Sequence, residues 1–332
     1  MDFQQLITDI KQQKFKPVYL LHGQEPYFID QISKAVESHA LTEEEKGFNM
    51  TVMYGKDTDV HQVIEAAKRY PMMAERQVVT VREAQSMRNP EALESYLQNP
   101  LSSTILVIAF KGKKVDGRKK WVKFAQKTGV EFFSKPIYDD KIPAWVEKYL
   151  KNKNYQITPK AALLIGDFLG TDLAKITNEL DKLMLNVEPG STVDENHIEA
   201  NIGISKDFNN FELQNAIGRL NHAKAQQIAI YFGQNLKDHP PVVTLAVLMK
   251  YFGQVMSIYF EKTRDKYSIA KKIGVNPYFV KDYLAAADNF TGKKVMSNIT
   301  LLREYDGKFK GVGTGKVAPQ ELLRELVWKL MN

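Results

Sequence analysis

Lys16-Pro-Val-Tyr-Leu-Leu-His-Gly-Gln-Glu-Pro-Tyr-Phe-Ile-Asp30 decides the fold. Its first half is a short apolar run with the length and composition of a buried strand. Gly23 marks a turn, and Pro26 opens a helical stretch reaching about His39. Asn49–Tyr54, Arg76–Val81, Thr104–Phe110 and Val130–Phe133 read as four further strands. Thr104-Ile-Leu-Val-Ile-Ala-Phe110 is continuous and β-branched, as a central parallel strand buried on both faces must be. Between the second and third strands, Val60–Tyr70 has helical periodicity, with Val60, Val63, Ile64 and Ala67 on one face, and Pro71 is predicted to end it. Strands alternating with helices predict an α/β unit with a parallel, helix-covered sheet.

The turn after the first strand is where such a fold holds phosphate. A phosphate loop needs G-x-x-x-x-G-K-[ST]: backbone N–H groups cradle the anion, the lysine neutralises it and the hydroxyl holds Mg²⁺. From Gly23 onward, Phe28, Ile29 and Asp30 replace the second glycine, the lysine and the hydroxyl, while Glu25 and Asp30 would repel a triphosphate. The strand that should end in a metal-holding Asp-Glu pair is Val78-Val-Thr-Val81 followed by Arg82-Glu83. Arginine has the wrong charge and no lone pair for Mg²⁺. A second glycine run, Gly311-Val-Gly-Thr-Gly-Lys316, is one residue short of the motif and has no strand before it, so it reads as a link between helices.

From Asp139 the pattern is helical only. Asp139 or Asp140 is predicted to cap a helix over Ile142–Leu150, and Thr158-Pro159 to start another ending near Leu169. Gly170-Thr-Asp separates it from Leu173–Leu185, and Val193–Ile202 closes a small helical region. Beyond Ser205, helices are predicted at Phe211–Leu220, Ala223–Leu236, Pro241–Arg264, Ser268–Ile273, Pro277–Ala287, Thr291–Asp306 and Pro319–Met331.

Composition narrows the function classes. Of 332 residues, 44% are hydrophobic and 26% charged, ordinary values for a globular protein. No uninterrupted apolar stretch reads as long enough to cross a bilayer, and the opening MDFQQLITDIKQQKF lacks the basic head and apolar run of a secretory signal, so a cytoplasmic protein is expected. Cysteine is absent, which excludes disulfide scaffolds and thiolate metal sites. The six histidines show neither H-x-x-x-H nor H-E-x-x-H spacing, and no metal or cofactor is expected. The net charge of +7 is uneven: residues 205–332 hold 19 Lys/Arg against 11 Asp/Glu. A basic C-terminal third is compatible with a polyanion such as nucleic acid, or equally with a solvated cationic surface.

Several of these segments occur together in one known family. Lys16–Gly23 with its degenerate phosphate loop is followed by Pro71-Met-Met-Ala-Glu-Arg-Gln77 leading into the third strand. A basic segment after Phe110, Ile157-Thr-Pro, the run Gly170–Leu183 and Phe211-Glu-Leu-Gln-Asn-Ala-Ile217 follow in order. In this arrangement the chain resembles the delta subunit of the bacterial DNA polymerase III clamp loader over essentially its full length. The resemblance implies an AAA+-like N-terminal domain over 1–138 lacking Walker A, a helical lid over 139–204 and an all-α collar over 205–332. In nucleotide-binding motors of this architecture the lid supplies an arginine to the phosphates, and Ala174 stands at that place here. The resemblance further implies a non-catalytic part of the polymerase III holoenzyme that binds the β sliding clamp and holds one interface open. Its other implied partners are gamma/tau and delta-prime type subunits, met through the collar, and primed DNA within the complex.

The clamp-binding residues implied by the resemblance are Met72 and Met73, at the place where relatives carry two adjacent apolar residues, most often Leu-Phe. Methionine, unbranched and polarizable, suits an irregular pocket, although the residue type alone fits ordinary core as well. Candidate DNA contacts are Lys113 and Lys114 in the basic segment Lys111–Lys123, and Tyr305, Lys308 and Lys310 near a helix end, where an aromatic ring amid cations can stack on unpaired bases. Two alternatives stand beside this reading: an AAA+ ATPase with an atypical loop, and a generic DNA-binding protein of AAA+ descent.

Overall fold

A computed structural model describes residues 2–261, 263–313 and 317–332. Of the second glycine run, Thr314, Gly315 and Lys316 lie outside the described residues. The chain divides into two compact units, Met1–Ile137 and Tyr138–Asn332.

The first unit runs α1 (Phe3–Lys11), β1 (Val18–Gly23), α2 (Pro26–His39), α3 (Glu43–Asn49), β2 (Met50–Tyr54), α4 (Val60–Lys68), β3 (Gln77–Arg82), α5 (Glu94–Leu97), β4 (Thr104–Lys111), α6 (Lys120–Thr128) and β5 (Val130–Ser134). All five strands are parallel, in the order β2-β3-β4-β1-β5. The apolar runs are continuous because alternate residues serve two cores. Val18, Leu20, Val79, Val81, Leu106, Ile108 and Phe110 pack on one face, under α4 and α6 with the buried Trp121. Tyr19, Leu21, Val78, Ile105, Val107 and Ala109 pack on the other, under α1 and α2. Each valine, leucine, isoleucine or phenylalanine among them contributes about 1.5–3 kcal/mol on burial. β1 lies between β4 and β5, where open α/β sheets place their ligand crevice.

The second unit is helical: α7 (Ile142–Lys151), α8 (Pro159–Leu169), α9 (Leu173–Met184), α10 (Glu195–Ile202), α11 (Asn210–Gly218), α12 (His222–Gln234), α13 (Pro241–Ile258), α14 (Lys266–Ile273), α15 (Val280–Asn289), α16 (Gly292–Phe309) and α17 (Pro319–Met331). The expectation of helix alone needs correcting. Two strands of two residues, β6 (Gln156–Ile157) and β7 (Thr192–Val193), pair in parallel. Thr158 caps α8 as its sequence predicts, its Oγ1 accepting from the Ala161 amide at 3.1 Å. Asp139 and Asp140 instead form a 3-10 turn ahead of α7 and leave that helix without a side-chain cap.

The helices from α11 to α17 enclose one core that includes Phe232, Leu248, Phe252, Leu302 and Leu326, with Leu163 of α8 packed against it. A Lys160–Glu212 ion pair at 2.7 Å also joins α8 to α11. Helix α13 corrects a second expectation, because it is long and apolar enough by length and composition to cross a membrane. Leu245, Leu248, Tyr251, Phe252, Val255 and Ile258 explain that composition: they are buried in the bundle core.

Candidate functional site

The two methionines sit on the loop between α4 and β3, and neither is core. Met72 is 59% exposed and Met73 fully exposed. The helix before them ends at Lys68, two residues earlier than its periodicity predicts. The cause is tertiary. The buried Gln77 amide shares its two N–H groups among the carbonyls of Ala66 (3.1 Å) and Arg69 (2.5 Å) and Thr104 Oγ1 (2.9 Å), while Thr104 Oγ1 donates to the Ala67 carbonyl at 2.9 Å. The last carbonyls of α4 thus have partners on the sheet and do not require another turn. Tyr70, the residue before proline, is steered away from the helical region in any case.

Beyond Pro71 the backbone is held from the other side. Asn49, 3% exposed at the end of α3, accepts from the Met72 amide (2.7 Å) and donates to the Met72 carbonyl (2.9 Å). Met73 then takes a left-handed conformation, φ +52°, which costs a residue with a side chain about 1 kcal/mol. Tyr70 and Phe48 are also exposed, and the Asn49–Met72 pair brings the Phe48 end of α3 beside the methionine loop. The tip is therefore apolar, mostly solvent-facing and fixed in its backbone. Sequence reasoning singled out Met72 and Met73 and passed over Asn49, Phe48 and Tyr70, which the structure places beside them.

Because the strands are parallel, the tip at the start of β3 and the turn at the end of β1 lie at opposite edges of the sheet. A six-residue strand separates those edges by about 20 Å.

At the β1 edge the phosphate position is filled by the chain itself. Glu25 caps α2, its Oε1 accepting from the Tyr27 amide at 2.9 Å, and Pro26 removes the N–H at the first helical position. The carboxylate stands where a helix N-terminus would receive an anion. The Gly23 and Gln24 amides, which would otherwise face a phosphate, donate to the Lys113 and Ser134 carbonyls at 3.1 and 3.0 Å. Asp30, in place of the Mg²⁺-binding hydroxyl, is paired with Lys111 at 2.7 Å. Arg82, at the expected metal-holding position, is tied to Glu37 at 2.7 Å. These residues do not fit a nucleoside triphosphate with Mg²⁺.

Lys113 and Lys114 lie on an exposed loop over the same edge, which buried His22 pins from below. The His22 Nδ1 accepts from the Val115 amide at 3.3 Å, so the proton sits on Nε2, which donates to Glu131 at 3.0 Å. Lys114 lies 5.2 Å from the centre of the Phe133 ring. Burial pushes the His22 pKa below the ordinary imidazole value, with the Glu131 hydrogen bond opposing the shift and the Lys114 charge adding to it. Between that lowered value and the ordinary value near 6.5, the unfolded chain binds more protons than the folded one, so stability rises with pH across this window. Urea unfolding followed from pH 7 down to 5 is expected to show a loss of stability that His22→Gln reduces; equal pH dependence of both proteins would exclude His22 as its source.

Of the remaining DNA candidates, Tyr305 requires a correction. Tyr305 is fully buried in the second unit's core, with Lys308 and Lys329 ammonium groups 4.3 and 5.6 Å from its ring centre. A buried ring cannot stack on a base. Lys308 and Lys310 pair with Glu304 (2.7 Å) and Asp306 (2.6 Å) one helical turn away, which reduces the positive field they offer a phosphate.

The family model described as DNA polymerase III, delta subunit, matches residues 19–133, and the model for the C-terminal domain of the same delta subunit matches residues 207–330. The DNA polymerase III subunit delta of Bacillus subtilis is 25% identical over 97% of this chain and 95% of its own length. The solved structure of the Bacillus subtilis DNA clamp loader delta protein (YqeN) superimposes with a TM-score of 0.54 at 24% identity, covering 99% of each chain. The two family matches take in both the tip and the helical bundle and together span more than half of the sequence, so the chain belongs to the DNA polymerase III delta subunit family.

Proposed function

We propose that this chain is the clamp-gripping subunit of its clamp loader: Met72 and Met73 enter an apolar pocket of the β sliding clamp, and the subunit holds one clamp interface open. The observation that carries the proposal is a fully exposed Met73 beside a largely exposed Met72, on a loop whose backbone is fixed by buried groups. Solvent-facing apolar side chains held in place mark a docking surface, and methionine adapts to an irregular pocket. Fixing the backbone beforehand lowers the ordering cost of association.

In this reading residues 1–138, which take in the whole first unit, are the AAA+-like clamp-binding domain. Residues 139–204 form the lid, and 205–332 form the collar that meets gamma/tau and delta-prime type subunits. The subunit hydrolyses no ATP, in keeping with the Glu25 cap and the occupied Gly23 and Gln24 amides; the sister subunits supply that energy in the cytoplasm. Lys113 and Lys114 are the candidate contacts to primed DNA within the complex.

The test is binding of the purified chain to the β clamp of its own organism, without nucleotide, beside Met72→Ala/Met73→Ala. Loss of at least about 30-fold in affinity is expected, corresponding to about 2 kcal/mol for a pair of central anchors. Unchanged binding by the variant would move the contact elsewhere on the chain. ATP turnover above background by the isolated chain would overturn the non-catalytic assignment.

A further inference from the structure

Asn49 makes the maximum use of its amide that this environment allows. A primary amide has two N–H donors and one carbonyl oxygen. Here one N–H donates to the Glu45 carbonyl at 3.1 Å, within the helix that Asn49 ends. The other donates to the Met72 carbonyl at 2.9 Å, and the Asn49 oxygen accepts from the Met72 amide at 2.7 Å. Both polar backbone groups of Met72 are thus taken by a single side chain, as a neighbouring strand would take them. The residue that does this is 3% exposed, so water does not compete at its side of the contact. Helix α3 is in turn anchored at its start by a capping box between Thr42 and Glu45.

We infer that Asn49 is a positioning residue for clamp binding: it touches no clamp atom itself, and it presents Met72 and Met73 by clasping the Met72 backbone. The inference rests on the proposed grip of the methionine pair and adds what sets its geometry. With both polar groups of Met72 held, the turn into the left-handed Met73 starts from a fixed point, and the Met73 side chain leaves the loop in one direction. Without the clasp, residues 70–73 have no strand or helix to order them, and the two methionines would reach the clamp pocket only in a fraction of the loop's conformations. That fraction multiplies the affinity directly.

A double-mutant cycle separates this role from a general structural one. Clamp affinity is measured for the intact chain, Asn49→Ala, Met72→Ala/Met73→Ala and the triple variant, with thermal unfolding of each as a check on folding. Asn49→Ala is expected to weaken binding about tenfold in the intact chain and less than about twofold where the methionines are already absent. An equal loss in both backgrounds, or none in the intact chain, would overturn the inference. If Met72→Ala/Met73→Ala itself binds as tightly as the intact chain, the proposed grip fails instead, and the two failures are distinct. Asn49→Asp supplies a second variant of nearly unchanged size. It keeps an acceptor for the Met72 amide but faces the Met72 and Glu45 carbonyls with a carboxylate oxygen, so a similar loss is expected. Hydrogen exchange on the unaltered chain needs no variant: the Met72 amide is expected to exchange at least about tenfold more slowly than an unstructured one, and exchange at the unstructured rate would overturn the clasp.

Discussion

Gly23→Ala is expected to destabilise the first unit by more than about 3 kcal/mol, seen as a shift of its urea unfolding transition to lower denaturant. A methyl group at this position would sit 2.0 Å from the Ser134 carbonyl oxygen, and the obstacle is backbone that cannot swing aside. Ser134 ends β5, its Oγ donates to the Glu25 carbonyl at 2.6 Å, and its own carbonyl accepts from Gln24. The backbone at Gly23 also has φ +140°, a conformation that residues with a side chain rarely adopt. Steric clash and backbone strain act together, which places the substitution among the few single changes with large effects. Gly47→Ala is the matched control: a methyl there meets nothing within 4 Å, and Gly47 lies inside α3, so a gain of about 0.5–1 kcal/mol is expected. The glycine that opens a phosphate loop in catalytic relatives of the fold is therefore needed here for a turn packed against its own neighbour.

Gln77→Leu is expected to cost about 1–2 kcal/mol in the same measurement. The leucine fills similar volume but leaves the Ala66 and Arg69 carbonyls, at the end of α4, without the donor they now share. The Ala66 carbonyl keeps the Arg69 amide at 3.3 Å and Arg69 is itself exposed, so the loss stays toward the lower end of the about 1–3 kcal/mol that a buried carbonyl stripped of every partner costs. Thr104→Val is expected to cost less, because it releases the Ala67 carbonyl while the Gln77 amide still reaches Ala66 and Arg69. The two changes combined should cost less than their sum, since Gln77 and Thr104 are bonded to each other at 2.9 Å. Full additivity would mean that the two residues close the helix end independently.

The sheet was legible because parallel strands buried on both faces leave unbroken apolar runs, and Thr104–Phe110 is such a run. The absence of a working phosphate loop was legible too, because that chemistry tolerates few substitutes. What escaped the sequence was set by contacts distant along the chain or by too few residues. Helix α3 has three successive glutamates, and its Phe48 is exposed, so it carries no apolar stripe for periodicity to detect. Its one signal is the Thr42-x-x-Glu45 capping box, and without it Asn49 reads as the start of β2. The pair β6–β7 is two residues long on each side, too short for any alternation. Tyr305 failed for a different reason. An aromatic residue flanked by lysines reads the same whether its ring faces solvent or lies inside with the long lysine stems folded over it. Met72 and Met73 were equally ambiguous by residue type, and their exposure excludes the core reading.

The Glu25 cap has a thermodynamic consequence. In a protein whose helix terminus receives nucleotide from solution, the folded state gains stability as ligand concentration rises above Kd, and the whole domain feels the cell's energy charge. Here the anion at the α2 terminus is a side chain of the same molecule, present at unit occupancy whatever the surroundings contain. That coupling is severed at its source: the end of α2 is stabilised by a group whose concentration never changes, so this terminus gives the first unit no response to the supply of nucleotide.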